Sequence, residues 1–138
     1  MPMTILNFDI RHVRLPFKTP WKTAYGEETH LETVLVKAAC DDAEAWVETC
    51  PLASPEYLSA TAATAAATMA DILAPAVIGV EFDTPAALAM ALAEYPGDNF
   101  ARSGIELCAW ALESVRAQVP LRQLLGAPER SVLRGFSV

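Results

Sequence analysis

The sequence predicts an α+β domain, a three-stranded antiparallel meander followed by a helical bundle. Three observations predict it. Residues 4–15, 31–40 and 45–49 carry the alternating or β-branched pattern of strands. From about residue 54 the spacing turns helical, with helix-start signals in which Ser or Thr precedes Pro. The length, 138 residues, suits one domain with a core of its own.

In "TILNFDIRHVRL" (4–15), Leu6, Phe8 and Ile10 share one face, then Val13 and Leu15 take the other phase. That flip predicts a bulge or a change of burial partway along the first strand. "LETVLVKAAC" (31–40) is β-branched and alternating, with Val34, Val36, Ala38 and Cys40 on one side. "DDAE" (41–44) predicts a tight turn through Asp41 and Asp42, and "AWVET" (45–49) a third strand. The first connection, "PFKTPWKTAYG" (16–26), is long for a hairpin loop and carries aromatic and basic side chains.

Ser54, Pro55 and Glu56 predict the first helix start: a cap oxygen, a fixed φ and an acid in the first turn. Leu58, Ala62, Ala65, Met69, Ile72 and Leu73 come next at helical spacing. Pro75 interrupts or ends that helix, and Gly79 stops the short segment after it. Thr84 and Pro85 predict a second helix to about Glu94, and "YPGDN" (95–99) a turn. A third helix is expected from about Phe100 to Ala117, turning Ile105, Cys108, Ala109, Leu112 and Val115 inward. Arg102/Glu106 and Glu113/Arg116 are spaced as surface ion pairs. Pro120 blocks continuation, and "LRQLLG" predicts a short turn of helix closed by Gly126. "SVLRGFSV" (131–138) is expected to form a further strand.

Composition excludes several functions. The net charge of −7 argues against nucleic acid and against an anionic membrane surface as partners. No apolar run reaches the ~18–20 residues of a spanning helix. The N-terminus lacks a basic region before a long apolar core, so no signal peptide is expected and a cytoplasmic location is. Cys40, Cys50 and Cys108 form no CxxC pair and are expected to be free thiols, buried or half-buried, in a reducing compartment. His12 and His30 have no second histidine nearby in sequence and are expected to be structural or solvated. Glu48, at the end of a strand, could serve as a catalytic carboxylate, but a carboxylate there more often pairs with a lysine or arginine, and that pairing is expected. No phosphate loop or GxSxG elbow occurs. Residue types alone therefore show two decorated connections, "TPWKTAYG" and "CPLASPEY", and no active site.

An ordered set of segments carries a family resemblance. "VRLPFKTPWKTAYG", "ETVLVKA", "AWVETCPLASPEY", "ILAPAVIG", "GDNFARSGIELCAWAL" and "VPLRQLLG" resemble, in order, the N-terminal capping domain of the enolase superfamily. The nearest branch is the muconate-lactonizing-enzyme group, with its o-succinylbenzoate synthases and N-acylamino acid racemases. The resemblance implies a capping domain at 1–130, with 131–138 starting the first strand of a TIM-type barrel. It implies that Mg²⁺ and the acid/base lysines belong to that barrel in the full-length enzyme, and that this chain binds no metal and is inactive alone. It also implies that two mobile loops close over a small carboxylate substrate. The residues it assigns to them are Lys18, Trp21, Lys22, Thr23, Tyr25, Gly26, Ser54, Glu56 and Tyr57. Trp21, Tyr25 and Tyr57 would form apolar walls, and Lys18 or Lys22 would meet the carboxylate. From residue types alone, Trp21 and Tyr25 would equally plug the end of the sheet.

The chain departs from the family pattern at four places. Ala45-Trp46-Val47-Glu48 stands for GWGE, and Cys108-Ala109-Trp110-Ala111 for ALWD. Gln118 replaces a usual glycine, and Leu133 a frequent proline. A non-catalytic relict, a stand-alone interaction module and an unrelated α+β binding protein remain alternatives. Surfaces near Trp110, Phe136 and Val138, if meant for a barrel, predict self-association or a homo-oligomer.

Overall fold

The computed structural model describes residues 2–24, 26–55 and 58–135. Tyr25, Glu56, Tyr57, Phe136 and Val138 lie outside the described residues, so the expectations placed on them have no structural counterpart.

β1 (Met3–Thr4) pairs antiparallel with β5 (Glu81–Phe82). β2 (Asn7–Thr23), β3 (Gly26–Ala39) and β4 (Glu44–Thr49) form an antiparallel sheet in the order β2-β3-β4, the expected meander. The helical layer comprises α1 (Ala62–Thr68), a π-helical turn at Met69–Leu73, α2 (Ala74–Val77), α3 (Pro85–Leu92), α4 (Asn99–Ala117) and α5 (Leu121–Leu124). Val34, Val36 and Ala38 meet Met69, Leu73, Leu88, Ile105, Cys108 and Leu112 in one buried core. No helix among the described residues is long and apolar enough to cross a membrane.

Of the two readings of the phase flip in the first strand, the change of burial holds and the bulge does not. Pairing with β3 is regular from Asn7 to Pro16, while Phe8 and Ile10 pack against the core and Leu15 is exposed. The decorated connection is also not a loop. β2 runs to Thr23, with its irregularity between Pro16 and Trp21, so "TPWKT" is one arm of a projecting hairpin. Pro16 and Pro20 supply no N–H to a ladder, which places the break there.

Ser54 does not start a helix. α1 begins after Thr61, whose side chain accepts from the Thr64 N–H while the Thr64 hydroxyl accepts from the Thr61 N–H, a reciprocal capping box. Ser54 lies in the irregular connection before it, and Leu58 is exposed. Pro75 interrupts the helix rather than ending it. The Ala74 N–H reaches back to the Met69 carbonyl, and this widened turn precedes Pro75, which sits in the first turn of α2 where its missing N–H is tolerated. Gly79, at φ +76°, then turns the chain and donates to the Ile5 carbonyl at 2.9 Å.

Thr84 caps α3 and Asp98 caps α4, the latter accepting from the N–H groups of Phe100 (2.9 Å) and Ala101 (3.1 Å). Ala101, Gly104, Ile105, Cys108, Ala109 and Leu112 give α4 its buried stripe, but Val115 is 49% exposed, a correction to the expected core. Glu113 meets Arg116 at 3.8 Å as expected. Arg102 instead bonds Asn99, and Glu106 accepts from Trp110 Nε1 at 3.4 Å. Arg116 also fastens the N-terminal segment, reaching Asp42 (3.1 Å) and the Pro2 carbonyl (3.1 Å). Residues 131–135, the described part of the expected strand at 131–138, have no regular structure and no ladder partner among the described residues. Leu133 there is fully exposed.

Gln118 ends α4 in the left-handed region, φ 56° and ψ 36°, and is followed by a Val119 N–H bond to the Ser114 carbonyl at 3.2 Å. A Cβ is strained in that conformation, which accounts for the family's glycine. Gln118→Gly is expected to stabilise the domain by about 0.5–1 kcal/mol, the relief of strain exceeding the extra chain entropy. An upward shift of the urea midpoint at constant m-value checks it.

Candidate functional site

The candidate residues sit on two structures. The first is the tip of the β2–β3 hairpin. Trp21 is 56% exposed and meets Phe17 edge-on, ring centroids 6.4 Å apart. Lys18 is exposed, and Lys22 Nζ lies 3.8 Å from Glu27 Oε2 in an open ion pair. The Thr23 hydroxyl donates to the Gly26 carbonyl at 3.3 Å, and Gly26 takes φ +146°, a value suited to a residue without Cβ. The second is the connection from β4 to α1, which carries Ser54.

A cleft of about 290 Å³ separates the root of the hairpin from this connection, with Glu28, His30 and Glu32 on one wall and Cys50, Pro51 and Ser54 on the other. Of the described candidates, Ser54 lines the cleft, whereas Lys18, Trp21, Lys22, Thr23 and Gly26 lie beyond it on the tip.

The cleft wall also holds side chains missed in the sequence. The antiparallel register puts Arg14 opposite Glu32 and Pro16 opposite His30, with His12 two residues behind Arg14 on the same face. Glu32 is thereby shared, its Oε2 lying 2.7 Å from His12 Nε2 and its Oε1 3.3 Å from His30 Nε2. The two histidines are not solitary. The signal that finds them is the register rather than sequence spacing. Chiefly the His12 hydrogen bond holds the Glu32 carboxyl below the usual glutamate range. Such a depressed group adds stability above its unfolded pKa, and that stability is lost as pH falls through the folded value.

Glu48 accepts from the Thr33 hydroxyl at 2.7 Å rather than from the expected cation. Cys40 is half-buried and Cys108 buried, as expected, but Cys50 is exposed at the cleft. Burial pushes the Cys108 thiol up to about 12, so it is an inert core group. The family's GWGE glycines are replaced by side chains that fill space, since Ala45 is buried and Val47 packs against the core. Trp46 faces outward beneath Arg11, whose Cζ lies 5.1 Å from the ring centroid.

A meander that projects a hairpin past a helical layer, with a cleft at the hairpin's root, defines a capping-domain type of α+β fold. The model of the mandelate racemase / muconate lactonizing enzyme N-terminal domain matches residues 5–126, and the chain belongs to that family, within the enolase superfamily. It is 28% identical to the o-succinylbenzoate synthase of Geobacillus kaustophilus, over 100% of this chain and 37% of that protein. It is 27% identical to the N-succinylamino acid racemase of an Amycolatopsis species, over 99% of this chain and 37% of the relative. The muconate lactonizing enzyme of Pseudomonas fluorescens, solved with muconolactone, superposes with a TM-score of 0.85 at 25% identity, covering 93% of this chain and 35% of that one. The chain thus spans little more than a third of the length of these relatives.

Proposed function

We propose that this chain caps the barrel of an isomerase or lyase of the o-succinylbenzoate synthase or N-acylamino acid racemase kind, closing over a small carboxylate substrate. The observation that carries the reading is the hairpin tip. It holds an exposed tryptophan, braced edge-on by Phe17, and two exposed lysines at the end of a ladder, where a purely structural hairpin needs neither. Trp21, with Tyr25 and Tyr57, would wall the substrate's apolar part and exclude water. Lys18, or Lys22 once released from Glu27, would meet the carboxylate.

Mg²⁺ would belong to the barrel of the full-length enzyme. Among the described residues no three His, Cys, Asp or Glu side chains come together as a metal set. The free thiols suit a cytoplasmic enzyme. The exposed Val132 and Leu133 supply surface for a barrel or for self-association.

In a protein joining this chain to its barrel, Trp21→Ala is expected to lower kcat/KM about tenfold, which is about 1.4 kcal/mol. Its unfolding free energy should move by no more than about 0.5 kcal/mol, as for an exposed residue. Steady-state kinetics and urea unfolding on one preparation check both. A stability loss of ~3–5 kcal/mol with unchanged kcat/KM makes Trp21 a structural plug and ends the capping reading.

A further inference from the structure

We infer that His30 is the latch of a pH-sensitive clasp at the root of the β2–β3 hairpin: neutral His30 holds Arg14, and protonation releases it and loosens the tip. The inference does not depend on what the hairpin covers.

It starts from hydrogen-bond direction. Arg14 Nη2 lies 3.1 Å from His30 Nδ1. A guanidinium has no acceptor and does not deprotonate in proteins, so Arg14 donates and Nδ1 must offer a lone pair. The other ring nitrogen, Nε2, is 3.3 Å from Glu32 Oε1, and a carboxylate only accepts, so Nε2 carries the proton. The two neighbours thus select one neutral tautomer of His30. Adding a proton at Nδ1 sets two donors and two positive charges against each other. The new N–H has an acceptor in the Thr29 hydroxyl, 3.3 Å away. Arg14 keeps only a longer contact with Glu32 Oε1, at 3.9 Å.

His12 is not the latch. Its Nε2 already donates to Glu32 Oε2 at 2.7 Å, so protonation adds charge to a bond it makes in either state. Titratable groups face His30 from β2, from β3 and from the connection after β4. β2 supplies His12 and Arg14, and β3 supplies Glu32. Glu27 and Glu28 of β3 and the Cys50 thiol from across the cleft share its cavity. α1 carries no titratable side chain. A proton at Nδ1 takes up the lone pair that the Arg14 contact uses, so that contact is the one protonation breaks.

The position makes the contact consequential. Pro16–His30 is the last regular rung before the ladder shifts, and the pairs Trp21–Glu28, Lys22–Glu27 and Thr23–Gly26 lie beyond it. Pro16 at that rung and Pro20 in the gap give no N–H, so side chains at the root carry more of the tie between strands.

The test is ¹⁵N NMR of the 138-residue chain from about pH 8 to about pH 5, the range in which imidazoles change charge. At the upper end His30 should show the Nε2–H tautomer. On descent, protection of the amides at 21–24 and 26–28, normalised to intrinsic exchange, should fall about tenfold with the midpoint of the His30 titration. His30→Gln and Arg14→Met should each flatten that step, the latter while His30 still titrates, and His12→Gln should retain it. An Nδ1–H tautomer at high pH, a step surviving in His30→Gln, or unchanged tip protection through the His30 titration overturns the clasp.

Discussion

Ile105→Ala is expected to destabilise the domain by about 2–5 kcal/mol, enough to unfold a large share of a marginally stable fold. Ile105 is fully buried in the middle of the α4 stripe, within the core that includes Val34, Val36 and Leu112. Deleting three carbons there removes apolar burial and leaves a void that packed neighbours on a sheet and a helix refill only in part. Val115→Ala on the same helix is the internal control. That side chain is half in water, and the change should stay within about 0.5 kcal/mol. Urea unfolding of the two variants separates them. Equal losses would mean that α4 docks through its last turn as well as its middle.

The contrast shows where sequence reading holds. Periodicity reports which residues share a helix face, and on α4 it placed Ile105, Cys108, Ala109 and Leu112 correctly. It does not report where the opposing surface ends, so Val115 was drawn into the stripe. The three strands and the Thr84–Pro85 start were legible because each rests on local chemistry that the fold left intact. Ser54-Pro55 carries the same local chemistry, yet the cap formed at Thr61, where Thr64 reciprocates. A cap signature states what a residue can do if a helix comes next, and after Ser54 the described residues 55 and 58–60 are not helical. The π-helical turn before Pro75 was hidden for a similar reason, because proline's constraint can be met by widening the preceding turn as well as by stopping.

The site was legible in a different proportion. The aromatic and basic residues of the hairpin tip stood out by type, and among the described ones Lys18, Trp21 and Lys22 are exposed. The His12–Glu32–His30–Arg14 group did not stand out. Its members lie up to 20 positions apart, and a one-residue error in register would have sent half of them to the opposite face. The departures from the family pattern became readable only with backbone angles and contacts in hand. Gln118 is a strained replacement, whereas Ala45 and Val47 are absorbed by the core.

Gly104→Val is expected to cost about 3 kcal/mol, at the upper end of the usual range for overpacking. Glycine inside a helix is itself unfavourable by about 1 kcal/mol relative to alanine, so its presence in α4 needs a reason. The reason is close approach. A Cβ at Gly104 would lie 3.0 Å from Met69 Sδ and 3.2 Å from Thr49 Cγ2, tighter than ordinary contact. Met69 is fully buried, but its thioether is flexible and gives a little. Thr49 gives less, because its hydroxyl is tied to the Phe100 carbonyl at 3.0 Å and its backbone pairs with Val34. Gly104→Ala therefore sets a gain in helix propensity against a shift of a few tenths of an ångström, and should fall within about 1 kcal/mol of the parent. Valine adds two more carbons and one strongly preferred rotamer in a helix, and the neighbours cannot clear them without moving β4 off α4. Since β4 leads directly into Cys50 and the cleft, that displacement should also raise amide exchange at residues 50–54, which an undirected loss of stability would not single out. Chemical unfolding of the two variants, with exchange measured under native conditions, checks the claim. If valine is tolerated as well as alanine, the close approach of α4 to β4 is not what keeps a glycine at this position.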